Sequence, residues 1–110
     1  MLKNEYHNTV SRIKKYLNEM NIFIDKFYLF GSRARNDFNL DSDFDFMIVV
    51  KNELNIAEKR KLTANIYRKL IQTKELILMD LIIKTSSKFY QECVEPGYLA
   101  YTVFNEGIEI

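Results

Sequence analysis

Asp41, Asp43 and Asp45 stand at every second position in the stretch LFGSRARNDFNLDSDFDFMIVV, directly ahead of an apolar run. Residues two apart on a strand face the same side. Asp43 and Asp45 are therefore expected to project together from the start of a strand over Asp43–Val50. Two carboxylates that close repel each other, and a divalent cation between them relieves the repulsion. A third carboxylate, Asp80, interrupts the apolar run ELILMDLIIK, which reads as a second core strand with Asp80 at its middle. A lone ionised carboxylate is costly there. If the two strands are neighbours, Asp80 completes a triad whose all-oxygen ligation favours Mg²⁺ or Mn²⁺ over zinc. Three carboxylates can hold two metals about 3.5–4 Å apart, the arrangement that serves in-line phosphoryl displacement.

Gly31 and Ser32 supply what a phosphate needs. Glycine lets backbone approach an anion closely, and Ser32 adds a hydroxyl donor. Arg33 and Arg35 are candidates to neutralise phosphate charge. An anion cradle followed by a metal-binding pair is what a nucleoside triphosphate with Mg²⁺ requires. A calcium loop competes for DSDFD, but its sixth position is Phe46 in place of glycine and its twelfth is Asn52 in place of glutamate. No Walker-type GK[ST] follows Gly31. Asp41 is assigned to the loop. His7, the only histidine, is a solvated or boundary residue with no second histidine to share a metal. Cys93, the only cysteine, is a small apolar filler and excludes an intramolecular disulfide.

The elements that must position these groups follow from periodicity. Leu2, Tyr6, Val10, Ile13, Leu17 and Met20 mark one stripe of an amphipathic helix. Phe27–Phe30 reads as a short buried strand, and GSRARND as a tight turn entering a short helix. Asn55 with Glu58 predicts a capped helix start. Its face is read as Ala57, Ala64, Tyr67, Leu70 and Ile71, ending near Gln72, with EKRK on the solvated side. A short helix is expected over Ser87–Val94, another over Tyr98–Glu106 stopped at Gly107, and a closing edge strand at 108–110. Tyr90, Tyr98, Tyr101 and Phe104 are assigned to the core, with a partner-facing patch or adenine contact as the alternatives. The order calls for an α+β fold, a small mixed β-sheet with helices packed against it.

The 110 residues fit a single domain, 1–110, of ordinary globular composition. A formal net charge of +1 provides no general attraction to a polyanion, so direct nucleic-acid binding is not expected. No apolar run is long enough to span a bilayer and no signal peptide is expected, which points to the cytoplasm.

The segment GSRARNDFNLDSDFD resembles the signature of the DNA polymerase β-like nucleotidyltransferase superfamily: Gly31-Ser32, ten residues, then Asp43-Phe44-Asp45. A third carboxylate on a later strand belongs to the same pattern, and Asp80 fits it. The length and the NEGIEI ending are similar to the minimal nucleotidyltransferases. One departure is Asn36, where glycine is common after the arginine; asparagine tolerates the left-handed conformation. The resemblance implies transfer of a nucleoside monophosphate from an NTP, with Asp43, Asp45 and Asp80 catalytic and metal-binding. Gly31, Ser32, Arg33 and Arg35 would be nucleotide-binding, with ATP as substrate and Mg²⁺, or Mn²⁺, as cofactor. Minimal members commonly act as antitoxins beside a HEPN-domain toxin, some by placing AMP on a toxin tyrosine. A non-catalytic antitoxin and nucleotidyl transfer to an RNA end or a small molecule are the alternatives.

Overall fold

The strand that continues the aspartate pair is packed from both sides. In the computed structural model, which describes residues 2–37 and 42–110, this strand is β2 (Phe44–Val50). It follows α1 (Leu2–Glu19), β1 (Ile24–Phe30) and α2 (Ser32–Arg35). After it come α3 (Ile56–Gln72), β3 (Met79–Thr85), α4 (Ser86–Glu92), α5 (Leu99–Glu106) and β4 (Ile108–Glu109). The sheet order is β3-β2-β1-β4. β1 runs antiparallel to β2 and β4, while β2 and β3 are parallel, so the sheet is mixed and the fold α+β as expected.

Alternation along β2 divides its side chains between two cores. Phe44, Phe46, Ile48 and Val50 pack with Val10, Ile13 and Leu17 of α1 and Leu62, Ile66 and Leu70 of α3. Met47 and Val49 pack on the opposite side with Tyr28, Phe89, Cys93, Ala100 and Val103. Burial of each large apolar side chain contributes about 1.5–3 kcal/mol, so an inner strand without a polar face is what this position selects. Cys93 is a buried filler, as read from sequence. His7 is exposed.

α3 begins as predicted: Asn55 accepts from the Glu58 N–H and Glu58 accepts from the Asn55 N–H, both at 2.8 Å. Its buried face differs. Leu62, Ile66 and Leu70 face the core with Tyr67 partly buried, whereas Ala57, Ala64 and Ile71 are exposed. The large side chains at four-residue steps outcompete alanines spaced seven apart, because burial energy scales with apolar area. Met20 also lies outside the buried stripe, since α1 stops at Glu19. The side chain of Leu2 lies outside what is described.

The aromatic tail departs most from expectation. Tyr90, Tyr98, Tyr101 and Phe104 are 36–51% exposed, not core residues. Each short helix buries one narrow stripe, Phe89 and Glu92 on α4, Ala100 and Val103 on α5. The small Ala100 lets α5 sit close to the sheet, which turns the aromatic positions outward. α4 is fixed by an ion pair between Lys84 and Glu92 (2.6 Å) and by the Ser86 hydroxyl donating to Asp25 (2.8 Å). Among the described residues, no helix is long and apolar enough to cross a membrane.

Candidate active site

Strand register brings the predicted residues to one end of the sheet. Phe30 pairs with Asp45 across β1 and β2, and Asp45 pairs with Asp80 across β2 and β3. Paired residues on neighbouring strands share a face, so Asp45 and Asp80 leave the sheet on the side covered by α4 and α5. Asp80 is not mid-strand: it is the second residue of β3 and is exposed, because residues 75–78 precede the strand. Burial pushes the Asp45 carboxyl above the ordinary aspartate range, and the negative charges of Asp80 and Asp43 push it the same way, opposed by Arg35.

Gly31 is required twice over. Its φ is +75° and ψ −156°, a region open essentially to glycine alone. A Cβ there would strike the Asp45 carboxylate, 3.3 Å from its Cγ even before the nearer oxygen is considered. The Gly31 turn and the Asp45 carboxylate are thus in direct contact. Asn36 closes α2 in the left-handed region (φ 66°, ψ 25°), so asparagine does there what glycine would.

The two arginines have different placements. Arg33 is buried: its Nε and Nη2 donate to the Ser42 carbonyl at 3.2 and 3.0 Å, and its guanidinium lies 4.2 Å from the centre of the Phe44 ring. Arg35 is exposed and, among the described residues, forms an ion pair with Asp37 at 3.2 Å. A surface pair of that kind contributes at most about 1 kcal/mol, so an incoming phosphate can replace it. Ser32 opens α2 and is half-buried. Asp41 lies outside the described residues.

Among the described residues, Asp43, Asp45 and Asp80 accept no hydrogen bond and form no ion pair, in contrast to Asp25, Glu53, Glu58, Glu75, Glu92 and Glu109. Nor do any three His, Cys, Asp or Glu side chains among them stand close enough to hold a metal ion as placed. The donor set nonetheless fits one: the carboxylates are oxygen-only, mutually repelling and without an internal cation other than nearby Arg35. The calcium-loop alternative fails, because the residues after Asp45 form β2 and not a helix.

One group at this end was missed in the sequence. Tyr67 was read as part of a helical face, yet its hydroxyl donates to the Met79 carbonyl at 3.1 Å, beside Asp80. Burial raises its pKa, and the charges of Asp80 and Asp43 raise it further. The signal available was a tyrosine at the edge of an otherwise aliphatic stripe, since a buried hydroxyl needs a partner.

Residues 11–109 match the family model described as polymerase beta, nucleotidyltransferase. The chain belongs to this family and is an enzyme of the nucleotidyltransferase type. Over 87 residues it is 30% identical to a Methanocaldococcus jannaschii protein named "Putative protein adenylyltransferase", covering 79% of each chain. In structure it is similar to a "putative nucleotidyltransferase" from Sulfolobus solfataricus, with TM-score 0.62 and 17% identity over 96% of this chain and 76% of that one. It is also similar to a chain of a toxin–antitoxin structure with AMP-PNP, with TM-score 0.50 and 16% identity over 93% and 69% of the two chains.

Proposed function

We propose that the protein transfers AMP from ATP to a hydroxyl, in the first instance a tyrosine, of a HEPN-domain toxin, and so acts as the antitoxin of a toxin–antitoxin pair in the cytoplasm. The observation that carries the catalytic half is the pairing of Asp45 with Asp80 across β2 and β3, with Asp43 near enough to act on Asp45, beside the contact between Gly31 and Asp45. Asp43 and Asp45 would hold Mg²⁺, with Asp80 contributing to the site on the acceptor side. The bound cation would withdraw charge from the triphosphate and lower the acceptor hydroxyl's pKa.

The chain's own groups account for the rest. The Gly31-Ser32 turn holds the triphosphate tail through close backbone approach and the Ser32 hydroxyl. Arg35, exposed and near Asp45, neutralises phosphate charge, and Arg33 braces the loop that carries Asp43. Asp80 accepts the proton of the acceptor hydroxyl, whose oxygen attacks the α-phosphorus. The bond from that phosphorus to the bridging oxygen breaks, and pyrophosphate leaves. Fixed charges aimed at the reacting phosphate supply most of the rate.

Support for a protein acceptor comes from the adenylyltransferase relative and from the surface. Tyr98, Tyr101 and Phe104 are exposed on the same side of the sheet as the carboxylates, on a segment that carries exposed Glu95 and Glu106. An apolar, acidic surface suits an RNase toxin, which must present positive charge to a polyanionic substrate. The deciding experiment pairs the protein with the toxin encoded beside it. Asp43→Ala with Asp45→Ala is expected to abolish modification while the complex still forms. Full neutralisation by that double variant would instead establish an antitoxin that works by binding alone.

A further inference from the structure

The three carboxylates accept no hydrogen bond among the described residues, so their placement depends on the backbone that carries them. Two side chains outside the carboxylate set grip that backbone at its critical points. Arg33 touches both residues that flank Asp43: it donates two hydrogen bonds to the Ser42 carbonyl and stacks on the Phe44 ring at 4.2 Å. Asp43 lies between the two points of contact, ahead of the first residue of β2.

Tyr67 does the same for Asp80. β3 is a terminal strand of the sheet, so one of its edges has no strand partner. The Leu78 carbonyl accepts from Phe44 N on β2 at 2.9 Å. Backbone groups alternate in direction along a strand, so those of Asp80 also point to β2, and those of Met79 and Leu81 point to the open edge. The Tyr67 hydroxyl reaches that edge from α3, donating to the Met79 carbonyl at 3.1 Å and facing the Leu81 N–H. One hydroxyl therefore spans the two residues on either side of Asp80. The strand end is the point at which an edge strand frays first, and it is where Asp80 sits.

We infer that Arg33 and Tyr67 are positioning residues for the cation site, holding Asp43 and Asp80 in place by fixing the residues that flank them. The inference rests on the carboxylates binding a divalent cation, as proposed above. Supporting groups one step removed from a metal typically alter its affinity 10–100-fold. Here the support passes through backbone and not through the ligand itself.

The test is Mn²⁺ binding to the protein alone, followed by electron paramagnetic resonance, in Tyr67→Phe, Arg33→Lys and Ser86→Ala. Tyr67→Phe deletes one hydroxyl and keeps the ring. Arg33→Lys keeps the charge and loses the forked, stacked grip. Ser86→Ala removes a hydroxyl that is equally well bonded at the opposite end of the sheet, to Asp25 and Val50. Thermal melts recorded alongside show how much of any change is lost fold. We expect Tyr67→Phe and Arg33→Lys each to weaken Mn²⁺ about tenfold or more, with Ser86→Ala within twofold of the parent although its melting temperature falls as well. Unchanged affinity in both site variants, or an equal loss in Ser86→Ala, would overturn the positioning role while leaving the cation site intact. If the parent protein shows no Mn²⁺ binding that Asp43→Asn removes, the cation site fails, and the positioning role with it.

Discussion

The two ends of the sheet treat their acidic groups in opposite ways. At the end formed by the start of β1 and the close of β2 and β3, Asp25 and Glu53 each have a hydroxyl donor within the protein. Asp25 accepts from Ser86, Glu53 from Ser87 at 3.0 Å, and the Asn52 side chain joins the Phe23 N–H to the Asn21 carbonyl at 2.7 and 3.0 Å. The Asn55–Glu58 box finishes the helix that begins there. At the other end, Asp43, Asp45 and Asp80 have no hydrogen-bond donor among the described residues, and the charges of Asp43 and Asp80 act on Asp45, which lies against Gly31. The first end is arranged for stability. The second is arranged at a cost in stability, which a bound cation would relieve. The contrast marks where the fold leaves its electrostatics unfinished.

The largest effect that would sharpen this contrast is removal of a single carboxylate. Asp43→Asn should lower nucleotidyl transfer by about 10³-fold or more with little change in the melt, measured as label incorporated into the acceptor. Activity within tenfold of the parent would break the comparison.

Next in size, Gly31→Ala places a methyl against the Asp45 carboxylate at a φ that alanine rarely adopts. The backbone strain costs about 1–3 kcal/mol, and the displaced carboxylate should reduce kcat/KM for ATP about 10²-fold.

A smaller effect concerns pH. Burial and like charges raise the Asp45 pKa in the folded, metal-free protein, so the folded state holds that proton more tightly than the unfolded chain. The stability it contributes is complete below the ordinary aspartate range and is lost as pH rises through the raised value. Asp45→Asn should therefore melt higher than the parent at neutral pH without metal, with the gap closing in acid. Added Mg²⁺ should raise the melting temperature of the parent and not of the variant.

Smallest of all, Ser86→Ala at the finished end should cost about 1 kcal/mol of stability and leave transfer unchanged. That outcome, read from melts and turnover together, separates the two ends cleanly.

Much of this was legible in the sequence, and for identifiable reasons. Gly31 and Ser32 with the Asp43–Asp45 pair carry their spacing on their face, and strand alternation gave the rest. The capping box at Asn55 and the left-handed Asn36 follow from local rules that need no tertiary context. Asp80 stands out by its chemical contrast with Leu, Ile and Met, although its place at the start of β3 depends on where pairing with β2 begins, which is a long-range matter. The inner face of α3 was misjudged because alanines at seven-residue spacing and leucines at four-residue spacing compete, and packing against β2 and β3 decides between them. The outward aromatics at 90–104 were illegible for the same reason: in a short helix apolar on most sides, only the neighbouring sheet determines which face is inner. Arg33 looked like a phosphate ligand from sequence, and its burial over Phe44 shows that it also braces the loop. The Tyr67 contact is illegible in the sequence, since nothing local links residue 67 to residue 79.

The most direct test of the account is the fate of the two labels of ATP. The protein, Mg²⁺ and the HEPN-domain toxin proposed as its acceptor are incubated with ATP carrying label on the α-phosphate or, separately, on the γ-phosphate. The account predicts that α-label enters the toxin and γ-label does not, and that the Asp43→Ala with Asp45→Ala variant transfers neither. Entry of γ-label would mean phosphate transfer, and transfer of α-label by the double variant would place the chemistry elsewhere; either result contradicts nucleotidyl transfer at this cluster of aspartates.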